Sequence, residues 1–424
     1  MAVKIAIIGG GSAYAPGLLG AFIHKAQDFD GAELALMDIA ETELAIVHRL
    51  GQKMIEAAHV NLTLTAHTDY RSALADADYV LTTFRQGGFE ARAQDERIPL
   101  QYGIIGQETI GPGGFFFAMR TIGVVRKLLA TIKEVAPRAV LVNYSNPTQI
   151  IAEAVTHFSD VPCISICDQS DDDQRKILDA LNITPQHVEF ESVGLNHATW
   201  STRFLVDGED GIELMLRGCE DVLARDDISN RLKRQFMMTR DFGRVPNSYM
   251  QYYYYRQETV AEAQAAPKSR AQEIMDLIPS YYVHFEEQAA QDVPHVTHSR
   301  GGSIFGDMAV EVLRGLVQNN QSIHTLNIPN RAALPDFAPD RVVEVPARLE
   351  SRNATPLAQH PLPHEVTGLL HMLAEYQWLS AKAIWEGDTR LKELALASNP
   401  LVMSVPLARK LLAEIEPLQK QYWG

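Results

Sequence analysis

The chain opens with apolar blocks of strand length separated by stretches of helical spacing. Residues 3–8 form a largely apolar run that stops at Gly9, Gly10 and Gly11, and residues 16–25 then follow a helical pattern. Short apolar runs at 33–37, 79–84, 139–142 and 162–166 predict four more strands. Between them, apolar residues recur at helical intervals, most clearly over 115–135. Alternation of helices with strands that are apolar on both faces predicts a parallel sheet covered on each side.

Past residue 195 the pattern changes. Helical stretches dominate at 220–240, 261–277, 307–318 and 364–385, interrupted by strand candidates at 325–328 and 342–345. No internal repeat, low-complexity tract or flexible linker interrupts the chain. The expected fold class is α/β: a Rossmann-like doubly wound parallel sheet over 1–195, followed by a mainly helical α+β substrate domain over 196–424. The ligand is expected between the two.

A length of 424 residues accommodates two such lobes, and 46% hydrophobic with 21% charged residues fits a soluble globular protein. The formal net charge of −15, without a basic run, argues against nucleic acid or an anionic membrane as partner. It leaves room for a small anion held by a few local arginines. The first apolar run turns into glycines at once, unlike a secretory leader, and no apolar run approaches membrane-spanning length. Cys163, Cys167 and Cys219 are few and odd in number, which suggests a reducing, cytoplasmic setting.

The run before Gly9, Gly10, Gly11 and Ser12, the helix after them and Asp38 at the end of the next strand make a dinucleotide-binding layout. Glycines let the backbone approach a pyrophosphate, and the helix N-terminus offers amide donors. Asp38 would accept from the ribose hydroxyls, favouring NAD over NADP. Tyr14 stands where the strict fingerprint has its third glycine.

Further strings are more specific: Gly106-Gln107-Glu108-Thr109-Ile110-Gly111-Pro112-Gly113-Gly114, Asn143-Tyr144-Ser145-Asn146-Pro147, Ile166-Cys167-Asp168, Gly194-Leu195-Asn196-His197 and Pro246-Asn247-Ser248-Tyr249-Met250-Gln251-Tyr252-Tyr253. In this order, behind the glycine loop, the chain resembles glycoside hydrolase family 4. That family departs from the usual two-carboxylate mechanism. The resemblance implies NAD, a divalent metal (usually manganese), a homodimer or homotetramer, and a sugar substrate with an anionic carbon-6 group.

By that resemblance Cys167 and His197 match the metal ligands, Tyr249 the catalytic base, and Arg85, Asn146 and Arg270 substrate-binding positions. Asp168 matches the residue that protonates the leaving group in α-type enzymes, so the chain looks most like the 6-phospho-α-glucosidase branch. A lone cysteine and histidine would on softness alone suggest zinc, so manganese rests on the resemblance. A tyrosine with pKa near 10 is a poor base unless a cation lowers it, so Tyr249 must face the metal site. Arg300 precedes Gly301-Gly302, a string shared with the phospho-β branch, and its role stays open. Ala13 and Ala15 replace the family's hydroxyl residues, and Gln169-Ser170 its Met-Pro. These departures keep a sulfoquinovosidase, acting on a 6-sulfonated sugar, as an alternative.

The implied reaction oxidises carbon 3, which makes the carbon-2 proton removable and lets the glycosidic oxygen leave by elimination. Water then adds and the hydride returns, so the net change is hydrolysis. Two other classes fit the nucleotide loop alone: an ordinary NAD-dependent hydroxy-acid dehydrogenase and a non-catalytic NAD-binding regulator. The former has no need of Cys167; the latter has no need of a metal, an acid and a base.

Overall fold

The computed structural model describes residues 3–423. Strands β1 (Lys4–Ile8), β2 (Glu33–Met37), β3 (Thr63–His67), β4 (Tyr79–Thr82), β5 (Val140–Asn143) and β6 (Cys163–Ser165) pair in parallel. Their order is β3-β2-β1-β4-β5-β6. Chain direction across the sheet reverses between β1 and β4, the switch point at which open α/β sheets bind ligands. Ile5, Ile7, Leu34, Leu36, Val140 and Val142 share one core, under helices Ala15–His24, Glu41–Ala58 and Gly302–Gln318. The alternate residues Ala6, Ile8, Val80 and Leu141 face the other core, under helices Gly111–Val135 and Thr148–Phe158. Period-two alternation with both sets apolar is why these strands read as continuous hydrophobic runs.

The sheet continues past β6. The second half of the chain adds β7 (Val188–Leu195), β8 (Ala198–Val206), β9 (Glu209–Asp210), β10 (Ile323–Pro329), β11 (Val342–Glu350) and β12 (Asn353–Pro356). β10 pairs antiparallel with β6 at Asn327 and Ser165, and β11 pairs with β10 along its length and with β7 at Glu344 and Gly194. Among the described residues the twelve strands make one sheet, in which β10 and β11 lie between β6 and β7. Residue 195 ends β7 at the turn into β8, and the sheet runs on across that point. Helix Gly302–Gln318 crosses helix Ala15–His24 so closely that a Cβ on Gly306 would lie 2.6 Å from the Gly17 carbonyl oxygen. Among the described residues, no helix is long and apolar enough to cross a membrane.

Some elements differ from the sequence expectation. β3 is polar, with Leu64 its single buried residue, because it is the sheet's edge and needs no second apolar face. The 220–240 stretch is two helices, Gly211–Ala224 and Asn230–Phe242, the second capped by the Ser229 hydroxyl. The 261–277 stretch is also two, Arg256–Ala265 and Arg270–Ala289. Pro267 lies in the gap, where its missing N–H does no harm, and Ser269 with Gln272 forms a capping box that restarts the helix.

Helix Gly88–Leu100, which carries Arg92 and Glu96 toward the site, is fixed by a fully buried ion pair. Arg120 grips Asp95 with both terminal nitrogens, at 2.9 and 2.6 Å, and also donates to the Gln86 carbonyl at 3.0 Å. Gln419, at the end of helix Val405–Gln419, donates to Asp95 at 2.9 Å and joins the last helix to the first half of the chain. Replacing Arg120 by Met strands a buried carboxylate. The expected loss is about 3–5 kcal/mol in urea unfolding, with a fall in the midpoint. A midpoint equal to wild type would mean that Asp95 is solvated or neutral.

Candidate active site

At the carboxyl ends of β1 and β2 the Gly9 and Gly10 amides both donate to the Met37 carbonyl, at 2.8 and 2.9 Å. Gly9 has φ +96°, and a Cβ there would lie 2.8 Å from the Phe84 nitrogen, so the turn requires glycine. The Gly11 amide donates to Asp38 Oδ2 at 2.9 Å and the Ala40 amide to Oδ1 at 3.1 Å. Burial raises the Asp38 carboxyl, and these backbone bonds oppose the rise. A cavity of about 370 Å³ runs past Gly9, Gly11, Ser12, Asp38 and Asn146. Ile39, 76% exposed, borders it beside Asp38 and offers an apolar face for a base. Tyr282 of helix Arg270–Ala289 donates to the Gly11 carbonyl at 2.8 Å, so the second half of the chain packs on the loop. The buried Ser12 hydroxyl has no hydrogen-bond partner among the described residues. A close-packed glycine cradle, an orphaned hydroxyl and a carboxylate at the next strand end fit a dinucleotide.

A second cavity of about 1000 Å³ shares Tyr14, Glu108 and Arg300 with the first. Arg92, Arg231, Tyr249 and Tyr252 also line it. Glu108 meets Arg85 at 2.6 Å and Arg92 at 2.8 Å. Burial would raise its carboxyl, but Arg85, Arg92 and Arg300 outweigh that and hold it down at about 2. Arg85 lies over the rings of Phe89 and Phe117, and Arg300 over those of Tyr14 and Phe89. Guanidinium groups held by rings and one carboxylate keep donors available for an anion. Arg85 and Asn146 line the smaller cavity. Arg270 lies instead at the rim of the larger one, with its side chain 64% exposed and paired to Glu273 at 2.8 Å.

Cys167 Sγ lies 3.4 Å from His197 Nε2. The opposite nitrogen of His197 is tied down. Gln107 Oε1 accepts from the Thr109 and Ile110 amides and from the Thr109 hydroxyl at 2.9 Å. Having donated its proton there, Thr109 Oγ1 can only accept from His197 Nδ1, 3.0 Å away. Nε2 is therefore the bare nitrogen, and it faces the sulfur. Burial, with Arg231 adding, pushes the His197 imidazole down to about 3, so it stays neutral. Burial, with Glu344 and Asp168 adding, lifts the Cys167 thiol well above its usual range. Thiolate and imidazole bonds of about 2.3 and 2.0 Å to one cation place their donor atoms about 3.1–3.5 Å apart, so the pair fits two positions on a divalent ion. Among the described residues no third His, Cys, Asp or Glu completes a cluster, which leaves the other positions to oxygens from elsewhere.

The Tyr249 ring stacks on the His197 ring with centroids 4.1 Å apart, and the Arg231 guanidinium lies 4.3 Å from its centroid. Tyr249 thus meets the requirement that it face the Cys167–His197 pair. Burial raises its phenol, and Arg231 opposes that rise. Burial also raises the Asp168 carboxyl; its own amide and the Tyr144 hydroxyl pull it back, while Asp172 pushes it further up. Arg92, Glu108, Thr109 and Arg231 are among the contributors to which the sequence reading gave no role. Arg231 sits in an ordinary amphipathic helix with no motif around it. Thr109 lay inside a recognised string without an assigned task.

The His197 shift has a testable sign. The unfolded imidazole titrates near 6.5 and the folded one near 3, so between these values the unfolded chain binds more protons and stability falls as pH drops. Between pH 7 and 5 this removes about 2 kcal/mol. In metal-free protein, His197→Asn should lack that part of the loss in paired urea titrations. Identical pH dependence in the two proteins would show that His197 is not buried neutral.

The model for family 4 glycosyl hydrolases matches residues 4–183, and the model for the C-terminal domain of that family matches 192–402. A probable 6-phospho-beta-glucosidase of Bacillus subtilis is 32% identical, over 99% of this chain and 97% of that protein. A 6-phospho-alpha-glucosidase from gut microorganisms, solved with NAD and Mn2+, superposes with a TM-score of 0.90 at 26% identity, covering 100% of this chain and 99% of the other. The 6-phospho-beta glucosidase of Thermotoga maritima, solved with manganese, NAD+ and glucose-6-phosphate, gives 0.86 at 27%, covering 99% of each. With both halves matched and a full-length relative above 30% identity, the chain belongs to glycosyl hydrolase family 4.

Proposed function

We propose that this chain is an NAD- and Mn2+-dependent 6-phosphoglucosidase that acts on 6-phospho-α-glucosides by oxidation and elimination. The observation that carries the reading is the meeting of Cys167, His197 and Tyr249 within electrostatic reach of Glu108, which lines both cavities. The NAD, Mn2+ and glucose-6-phosphate bound by the related structures support the cofactors and the sugar phosphate. Gly9, Gly10, Gly11, Ser12 and Asp38 would hold NAD, and Cys167 with His197 the cation. When bound, NAD would supply a hydride acceptor for carbon 3 and the cation a Lewis acid for the adjoining oxygens.

The chain's own groups do the rest. Tyr249 takes the carbon-2 proton as its phenolate, after giving up its own phenolic proton; burial disfavours that form and Arg231 over its ring favours it. Asp168, whose carboxyl burial shifts toward the protonated form, gives a proton to the leaving oxygen, oriented by Tyr144. Arg85 and Arg300 present guanidinium forks to the carbon-6 phosphate beside Asn146. Arg270, on the exposed rim, adds attraction for the arriving anion. The α reading stands on Asp168. A 6-phospho-β reading is favoured instead by the Bacillus subtilis relative and by Arg300-Gly301-Gly302.

Release of p-nitrophenol decides between them, with NAD, Mn2+ and a thiol reductant present. The α-glucoside 6-phosphate is expected to turn over faster than its β counterpart and faster than the α-sulfoquinovoside. A faster β-phosphate reassigns the anomer, a faster sulfonate reassigns the anion, and NADH accumulation without p-nitrophenol points to a dehydrogenase. Tyr249→Phe is expected to slow exchange of the carbon-2 hydrogen with deuterated water by about 100-fold or more, followed by proton NMR. Exchange at the wild-type rate would move the base to another residue.

A further inference from the structure

Glu344 has no part in the steps above, yet its carboxylate lies in the middle of the sheet and is 2% exposed. β11 carries it at the register position beside Asn327 of β10 and Gly194 of β7. Asn196 Nδ2 and Asn327 Nδ2 donate to one oxygen at 2.8 and 2.9 Å, and the Ser170 hydroxyl lies 3.4 Å from the other. Asn196 immediately precedes His197, and its side chain also hydrogen-bonds Cys167. Ser170 lies in the first turn of helix Gln169–Ala180, three residues after Cys167. One carboxylate therefore grips both segments that carry the Cys167–His197 pair, although β6 and β7 are separated by two strands.

The neighbours explain why an acid stands here. A carboxylate accepts from both asparagines at one oxygen and from the hydroxyl at the other, whereas an amide could keep the asparagine bonds only if its NH2 forced the Ser170 hydroxyl to turn from donor to acceptor. Asn196 is fixed at its backbone as well, since its amide donates to Gln149 Oε1 at 3.1 Å. The next residue, His197, adopts a left-handed φ of 61°, a conformation that needs such restraint. Thr109 orients the imidazole from the far side, but nothing in that contact fixes the sulfur.

We propose that Glu344 is a positioning residue for the metal site: acting through Asn196, it sets the Cys167 sulfur and the His197 imidazole at the separation that one divalent cation needs. This rests on the metal reading above. Groups that orient ligands in this way typically account for 10–100-fold in metal affinity.

The test is a Mn2+ titration of the NAD-bound protein, with free Mn2+ read from its EPR signal and NAD affinity read separately by fluorescence. Glu344→Gln is expected to raise the Mn2+ Kd by about 10–100-fold and to leave the NAD Kd within about twofold. Asn196→Ala should give a similar loss, and the double variant no more than either single one, because both remove the same link. Should Glu344→Gln fail to fold, Asn196→Ala carries the test. Wild-type Mn2+ affinity in either folded variant, or losses that simply add, would overturn the proposal while leaving the metal reading intact. A wild-type protein that binds no Mn2+ would overturn both.

Discussion

A parallel sheet that stopped at β6 would leave that strand's backbone donors and acceptors facing solvent. Antiparallel pairing of β10 to β6, and of β11 to β7, closes that edge with strands from residues 323–350. The same pairing brings the end of β6, with Cys167 and Asp168, toward the end of β7, with Asn196 and His197. Helix Gly302–Gln318 then covers the first core, and Tyr282 reaches the glycine loop. The two cavities consequently share walls, and Tyr14, Glu108 and Arg300 belong to both.

Burial governs the chemistry inside. It pushes Tyr249, Cys167 and Asp168 toward their protonated forms and His197 toward its neutral one. Glu108 stays ionised because three guanidinium groups surround it. A phenol, a thiol and an imidazole held in their uncharged forms avoid the cost of burying a charge at the Cys167–His197 pair. Positive charge near that pair would favour the phenolate and thiolate that burial disfavours.

Much of this was legible in the sequence, for reasons that differ by residue. The glycine loop and Asp38 announce themselves because a strand, a turn and a helix N-terminus are local and have fixed spacing. Cys167, His197 and Tyr249 stood out through their strings, and the geometry gives each a neighbour that suits its chemistry. β3 was unreadable because an edge strand carries no apolar run. Arg231 and Glu344 were unreadable because their importance lies in tertiary contacts, the guanidinium over the Tyr249 ring and the carboxylate joining Asn327 of a neighbouring strand to Asn196. The arginine lies in a charged helical stretch and the glutamate inside a strand pattern, so each looks like surface or like an exception. Pro267 was visible, and giving it full weight would have split the 261–277 helix correctly.

The order in which these pieces leave the ribosome matters. The parallel strands β1 to β6 are complete by Ser165, but the strand that covers β6 is not made until Ile323–Pro329. For the synthesis of more than a hundred residues the nascent chain carries an open strand edge next to an unpaired Cys167. Such edges recruit other chains. Until Ile323–Pro329 is made, that open edge is the place where a growing chain would pair with another.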